Sequence, residues 1–268
     1  MIKLIASDMD GTLLNSNKQL SKSVYDILKK LNDKGIIFVA ISGRDIFSLK
    51  KIFKDVKEDI VYASNNGNYI TYKGKVIFEN YIENNMVDKV AKIIRKKAKH
   101  NTIYCAKETV YSESIIPCII GIKWNLKVKY IKDITKVEDK ILKISTFGNK
   151  NIINSALEAL SELDDKLMIT KSGATCFDIC KLGGTKKQGI NILQDIFNIG
   201  YNETMVFGDH MNDLEMMSSA YYSYAMENAE EDVKRNARFI AGTNDDDGVI
   251  NAIKEVAFYE EELNSYSI

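Results

Sequence analysis

Residues 1–65 follow a strand–helix–strand–helix–strand rhythm of apolar and polar positions. Residues 2–7 are a short apolar run of strand length, closed by Gly11. Ser21 stands where a helix N-cap belongs. Val24, Ile27, Leu28 and Leu31 then fall at the i, i+3, i+4, i+7 spacing of one helix face, and Gly35 stops it. The unbroken run Ile36-Ile37-Phe38-Val39-Ala40-Ile41 is the pattern of a parallel strand covered on both faces. A helix is predicted over 44–53. A third buried strand is predicted over 60–63, ending in Ser64-Asn65-Asn66-Gly67. Strands and helices alternating at this spacing predict a parallel α/β sheet.

The rhythm changes after Asn68. Residues 69–72 and 75–78, joined by Lys73-Gly74, predict a hairpin. A helix is predicted near 86–99 and another over 152–163. Short β-like runs occupy 102–106, 109–112, 127–131, 141–147, 167–170 and 175–180. This stretch predicts an α+β module with an antiparallel sheet. The α/β rhythm returns after Gly183-Gly184, with a helix over 186–197 and a strand over 205–207. A helix from Asn212, a strand over 221–225, a helix near 230–236, a strand over 239–241 and a closing helix after Gly248 follow. The fold class expected is therefore α/β: a Rossmann-like parallel-sheet core domain, residues 1–82 plus 183–268. An inserted α+β cap domain, residues 83–182, interrupts it, at about 100 residues a usual size for a small domain. Entering after the third strand and leaving just before Lys186, the insert is expected to sit over the carboxyl ends of the core strands as a lid.

Composition narrows the partners. Lys plus Arg and Asp plus Glu both number 37 among 268 residues, so the formal net charge is zero. Neither nucleic acid nor an anionic membrane is expected as the main partner. No apolar run approaches the roughly 20 residues of a membrane helix, and the chain opens without a signal-type apolar region. Its four cysteines, Cys105, Cys118, Cys176 and Cys180, lack the companions of a zinc site. They read as plain thiols of a reduced, cytoplasmic protein.

Ligands of an open parallel sheet bind outside the carboxyl ends of its strands, and four such ends here carry polar residues. They are Asp8-Met9-Asp10-Gly11-Thr12, Ser42-Gly43-Arg44, Ser64-Asn65-Asn66-Gly67 and Gly208-Asp209-His210-Met211-Asn212-Asp213. Asp8, Asp10, Asp209 and Asp213 cannot share a pocket unneutralised, because like charges raise one another's pKa. A bound cation resolves this, and oxygen-only ligands with room for water suit Mg²⁺ better than zinc. Ser42 offers a hydroxyl, and Gly43 lets a backbone N–H approach an anion at a helix N-terminus. Lys186 adds a point charge.

Together these motifs resemble the haloacid dehalogenase-like phosphatase superfamily, and within it the Cof-type hydrolases with a mid-chain α/β cap. The likeness rests on Asp8-Met9-Asp10-Gly11-Thr12-Leu13, Ser42-Gly43-Arg44, Gly184-Thr185-Lys186-Lys187 and Gly208-Asp209-His210-Met211-Asn212-Asp213. Ala225-Met226-Glu227-Asn228-Ala229 and Asp247-Gly248-Val249 are similar to the C-terminal pattern, with Glu227 where relatives have Gly. The resemblance implies that Asp8 is a nucleophile forming an aspartyl-phosphate. It implies that Asp10 protonates the leaving alcohol and then deprotonates water. It implies Mg²⁺ held by Asp8, the Asp10 backbone carbonyl and Asp209, with Asp213 supporting from behind. Ser42, Gly43, Lys186, Asn212 and the Met9 backbone are implied to hold the phosphoryl oxygens, while Arg44 braces the loop.

The activity so implied is a Mg²⁺-dependent phosphohydrolase of small organic phosphates, sugar phosphates among them, with a small phosphorylated metabolite as partner. Two alternatives stay open: a sugar phosphomutase of the same superfamily and a non-catalytic phosphate-binding regulator. His210 and His100 are expected as bystanders, and Arg95-Lys96-Lys97 as a solvated helix face. Trp124, Tyr111 and Tyr130 are expected in the core of the insert. Asp178 and Lys181 are candidates to face the pocket.

Overall fold

The computed structural model describes residues 1–56, 59–97, 101–123, 127–163, 165–171 and 175–258. One sheet has the spatial order β14 (Phe239–Ala241), β13 (Tyr222–Met226), β12 (Thr204–Gly208), β1 (Leu4–Ser7), β2 (Ile37–Ile41), β3 (Ile60–Ser64), β4 (Tyr69–Tyr72) and β5 (Lys75–Glu79). Every pairing from β14 to β3 is parallel; the predicted hairpin, β4 and β5, extends the sheet antiparallel to β3. Leu4, Ile5 and Ala6 have no exposed surface. Full burial of a Leu or Ile side chain stabilises by about 1.5–3 kcal/mol. The strand order reverses at β1, which pairs with β2 on one side and β12 on the other. Such a switch point opens a crevice at the carboxyl ends of the strands.

The helices of this part follow from local chemistry. α1 (Lys22–Asp33) buries Val24, Ile27, Leu28 and Leu31, the stripe read from the sequence. Ser21 occupies its N-cap position, but its hydroxyl bonds Ser23 rather than the helix backbone. α2 (Ile46–Ile52) starts two residues later than predicted, because Asp45 caps it by accepting from the Phe47 and Ser48 N–H groups. The described residues between 84 and 181 form a second, mixed sheet and its helices. The sheet order is β10 (Leu167–Lys171), β11 (Cys176–Lys181), β9 (Ile141–Phe147), β6 (Thr102–Ala106), β7 (Val110–Ser112) and β8 (Val128–Tyr130). All pairs are antiparallel except β7 with β8, a departure from the expected antiparallel sheet.

α3 (Asn84–Lys97) and α5 (Lys150–Leu160) cover one face of this sheet, where Val90, Ile94, Ala156 and Leu160 join Tyr104, Ile144 and Phe177 in a core of their own. Between β7 and β8 lies α4 (Ile115–Lys123), a helix whose sequence shows no helical period. The chain then returns through α6 (Lys186–Phe197), α7 (Glu231–Asn236) and α8 (Gly248–Ala257). Where a helix was expected from Asn212 there are two short 3-10 turns, Met211–Asp213 and Glu215–Ser219.

Some expectations for single residues change. Arg95 is no free solvated cation: it grips Glu113 and Asp133. Tyr111 is buried in the core of the second sheet, but Tyr130 is exposed. Strand alternation turns Lys181 to the face opposite Asp178. His100 and Trp124 lie outside the described residues. Among the described residues no helix is long and apolar enough to cross a membrane.

Candidate active site

The carboxyl ends of β1, β2, β3 and β12 converge below the second sheet, around a cavity of about 520 Å³. Asp8 follows β1, and its N–H donates to the Phe207 carbonyl, tying the residue to β12. Lys186 opens α6, which Thr185 caps by accepting the Gln188 N–H. The loop after β3 holds that helix start in place: a Cβ on Gly67 would sit 3.1 Å from the Gly189 Cα, and Gly67 has a φ of +84°. Only a glycine tolerates both the left-handed backbone and the close approach.

The Lys186 ammonium is buried and donates to Asp8 Oδ1 and, at 2.5 Å, to Asp213 Oδ1. Asp213 Oδ2 accepts the Asp209 and His210 N–H groups, both at 3.1 Å, which fixes the turn carrying Asp209. Asp209 Oδ1 accepts the Thr12 hydroxyl at 2.7 Å. Gly11, with φ +82°, leaves room for Asp209: a Cβ there would lie 2.4 Å from Asp209 Oδ2. Carboxylate oxygens of Asp8, Asp209 and Asp213 all approach within 4.8 Å of one another. With all three ionised beside one lysine the cluster carries a net charge of −2.

Burial is the main cause raising the Asp8 pKa well above the carboxylate range; Lys186 opposes it, and Asp213 and Asp209 add like-charge repulsion. Asp209 is pushed up to about 6, again by burial first, with the Thr12 bond opposing and Asp213 repelling. Burial alone would lower Lys186, but Asp213 and Asp8 override it and hold the ammonium charged. An all-oxygen donor set with excess negative charge fits a hard divalent cation such as Mg²⁺.

Asp10 points elsewhere. Arg44 grips it with two parallel bonds of 2.6 Å, and Lys18 adds an ion pair at 2.9 Å. Burial would raise its pKa, yet these cations hold it down at about 2. Ser42, Gly43 and Asn212 line the cavity with Asp8, Asp10 and Asp209. Lys186 and Asp213 sit behind the Asp8 carboxylate, and the Met9 side chain is buried in the core, its carbonyl accepting from Leu14. His210 lines the cavity and pairs with Glu230 at 2.8 Å.

Several site residues were not singled out from sequence. Thr12 and Lys18 position Asp209 and Asp10. From the second sheet come Lys143 and Ser145 on β9, beside Asp178 on β11. The alternation of Lys143 and Ser145 with the apolar Leu142 and Ile144 marks them as one strand face. Which partner that face meets is decided only by the tertiary fold.

Known proteins can be set against this geometry. A profile of haloacid dehalogenase-like hydrolases matches residues 5–253. The chain is 28% identical over 265 residues to a protein of Escherichia coli strain K12 named 5-amino-6-(5-phospho-D-ribitylamino)uracil phosphatase, covering 97% of each chain. A Bacillus subtilis strain 168 protein of the same name is 29% identical, with 94% of this chain and 95% of that one covered. The crystal structure of a haloacid dehalogenase-like hydrolase from Bacteroides thetaiotaomicron superposes with a TM-score of 0.86 at 24% identity, covering 96% of this chain and 100% of the other, a likeness of fold. By its matched span and the fold around that span, the chain belongs to the haloacid dehalogenase-like hydrolases.

Proposed function

We propose that the chain is a Mg²⁺-dependent phosphatase of small phosphorylated metabolites, working through an aspartyl-phosphate on Asp8. The observation that carries this reading is the convergence of Asp8, Asp209 and Asp213 on one buried lysine at the switch point of a parallel sheet. In this reading residues 1–82 and 183–268 form the core domain, and residues 83–182 form a cap domain over it.

Asp8 attacks phosphorus in line with the leaving alcohol. Ser42, the Gly43 backbone, Asn212 and Lys186 hold the phosphoryl oxygens, which is the positioning and charge stabilisation that phosphoryl transfer mainly needs. Mg²⁺ held by Asp8, the Asp10 carbonyl and Asp209 would offset the charge that accumulates there, with Asp213 bracing Asp209. Asp10 gives the leaving alcohol its proton and then takes one from the water that splits the aspartyl-phosphate and frees phosphate. The Arg44 fork keeps Asp10 ionised, so it must leave that fork to become an acid. The names of the two relatives point to a phosphorylated ribitylaminouracil as the substrate to try first.

The test is phosphate release from 5-amino-6-(5-phosphoribitylamino)uracil and from p-nitrophenyl phosphate, with Mg²⁺ and with EDTA. Turnover is expected only with the metal, and is expected to vanish in Asp8→Asn. Free phosphate in stoichiometric yield separates hydrolysis from transfer between sugar positions. Wild-type rates in Asp8→Asn would overturn the mechanism.

A further inference from the structure

Two turns outside the cavity reach the acidic cluster through an intermediate. One follows β13 and carries Asn228; the other follows β14 and opens with Asn244. The Asn228 amide donates to the Gly11 carbonyl at 2.8 Å, and its Oδ1 accepts the Asn244 N–H at 3.1 Å. The Asn244 amide in turn donates to the Leu14 carbonyl at 2.9 Å. The two asparagines thus clasp both ends of the turn from Gly11 to Leu14, from 217 and 230 positions away in the chain. The turn after β13 also bonds the backbone of Asp209, whose carbonyl accepts the Glu230 N–H at 2.9 Å.

The turn from Gly11 to Leu14 needs an outside clasp. Two of its N–H groups are tied locally, Leu13 to the Asp8 carbonyl at 3.3 Å and Leu14 to the Met9 carbonyl at 2.8 Å. Gly11 is the loose link, because a residue without a Cβ has the widest choice of backbone conformations. No side chain can stiffen it: a Cβ there would lie 2.4 Å from Asp209 Oδ2. Stiffness has to come through the carbonyls, and the asparagines take those of Gly11 and Leu14. Between them stands Thr12, whose hydroxyl Asp209 Oδ1 accepts.

We propose that Asn228 and Asn244 are positioning residues for the cation: they hold this turn so that the Thr12 hydroxyl keeps the Asp209 carboxylate aimed at the metal. The proposal rests on the reading of Asp209 as a cation ligand. An amide suits the task because one planar group carries both donor and acceptor. Asn228 spends its donor on Gly11 and its acceptor on Asn244, so Asn228→Ala removes two bonds of the clasp. Neither asparagine lines the cavity, so the effect travels through the turn. Asn228 is exposed and Asn244 half-buried. Bonds so open to water are each worth about the net value of one hydrogen bond, about fivefold in an equilibrium constant.

The experiment titrates the protein with Mn²⁺, which takes the same oxygen ligands as Mg²⁺, and counts the free ion by electron paramagnetic resonance with no substrate present. Asn228→Ala and Asn244→Ala are each expected to weaken Mn²⁺ binding at least threefold. Ser23→Ala breaks a 2.6 Å bond from α1 to Asp247 but leaves the turn from Gly11 to Leu14 alone, and is expected to bind Mn²⁺ as the wild type does. Equal weakening in Ser23→Ala would mark general loosening and overturn the proposal. Unchanged Mn²⁺ affinity in either asparagine variant, with Mg²⁺-dependent turnover in the wild type, overturns the proposal and leaves the phosphatase reading standing. A double-mutant cycle tests the route. In a Thr12→Val background, Asn228→Ala is expected to weaken Mn²⁺ less than twofold; a loss as large as in the wild-type background overturns positioning through Thr12. Absence of Mg²⁺-dependent phosphate release from every phosphate, with the Mn²⁺ contrast intact, overturns the phosphatase reading instead. A wild type that binds no Mn²⁺ overturns both.

Discussion

Lys186→Met removes one buried charge and keeps most of the volume. In the native protein that ammonium serves two carboxylates, Asp8 and Asp213, neither of which has appreciable exposure. Without it the cluster of Asp8, Asp209 and Asp213, all three ionised, would go from a net charge of −2 to −3. Breaking a buried ion pair by deleting one partner costs about 3–5 kcal/mol. Unfolding entropy near 60 °C is about 2.1 cal/mol/K per residue, so for 268 residues the expected fall in Tm is about 5–9 °C. The sign of the pH dependence follows from Asp209. Its folded pKa, about 6, is raised chiefly by burial, and Lys186 is one of the groups that hold it down, so loss of the lysine raises it further. A carboxyl with a raised folded pKa destabilises as pH climbs above its unfolded value, near 3.8, until it ionises in the folded state, so variant and native protein diverge above the native folded value. The deficit should therefore grow from pH 5 to pH 8. Thermal unfolding followed by circular dichroism in EDTA reads both quantities, and Mg²⁺ at pH 8 should return part of the loss. A Tm change within about 1 °C, or a larger deficit at pH 5 than at pH 8, would refute the account of Lys186 as the neutralising partner.

Thr12→Val deletes the bond that opposes the raised pKa of Asp209, now about 6. Protons should then compete better with the metal, so half-maximal activity at pH 6 should need more Mg²⁺ than in wild type, with a smaller difference at pH 8. Gly11→Ala places a methyl 2.4 Å from Asp209 Oδ2 on a left-handed backbone. It should lower both Tm and the Mg²⁺-induced Tm increase, whereas a variant with unchanged Mg²⁺ response would show the loop to be tolerant. Asp10→Asn should slow single-turnover phosphoryl transfer from an alkyl phosphate more than from p-nitrophenyl phosphate, whose leaving group needs little protonation. Equal losses would remove Asp10 from the proton-transfer role.

The parts of this molecule legible in its sequence are those whose apolar residues make a pattern, either a one-sided stripe or an unbroken buried run. α1 shows its stripe, and the strands β1, β2 and β3 show buried runs ending in polar residues. α4 is different. Its sequence IIPCIIGIK has no polar face, and Ile115, Ile116, Ile119 and Ile120 are exposed in the fold. No amphipathic period exists there to read, and β-branched residues around Pro117 and Gly121 argue against a helix. Pro117 is accommodated because it falls in the first turn, where its missing N–H has no helical partner to lose. In the site, Asp8, Asp209 and Lys186 are visible because each stands at a strand end or helix start, and Asp213 because it lies in the turn that follows β12. The Arg44 fork on Asp10 and the Lys143–Asp178 pair are not, because each joins segments whose juxtaposition is set by packing.

The pairing of β1 with β12 has a consequence for the chain as it is synthesised. Asp8 emerges about 200 positions before the end, at Gly208, of the strand that completes its surroundings. The strands of the second sheet lie wholly within residues 102–181, so its partners are all present while one edge of β1 still lacks its neighbour. That edge, made of Leu4, Ile5 and Ala6, is a run of unpaired backbone flanked by apolar side chains, the kind of surface that recruits other chains. A ribosome that stops short of β12 therefore releases a polypeptide with Asp8 uncovered, without Asp209 and Asp213, and with a sticky open strand.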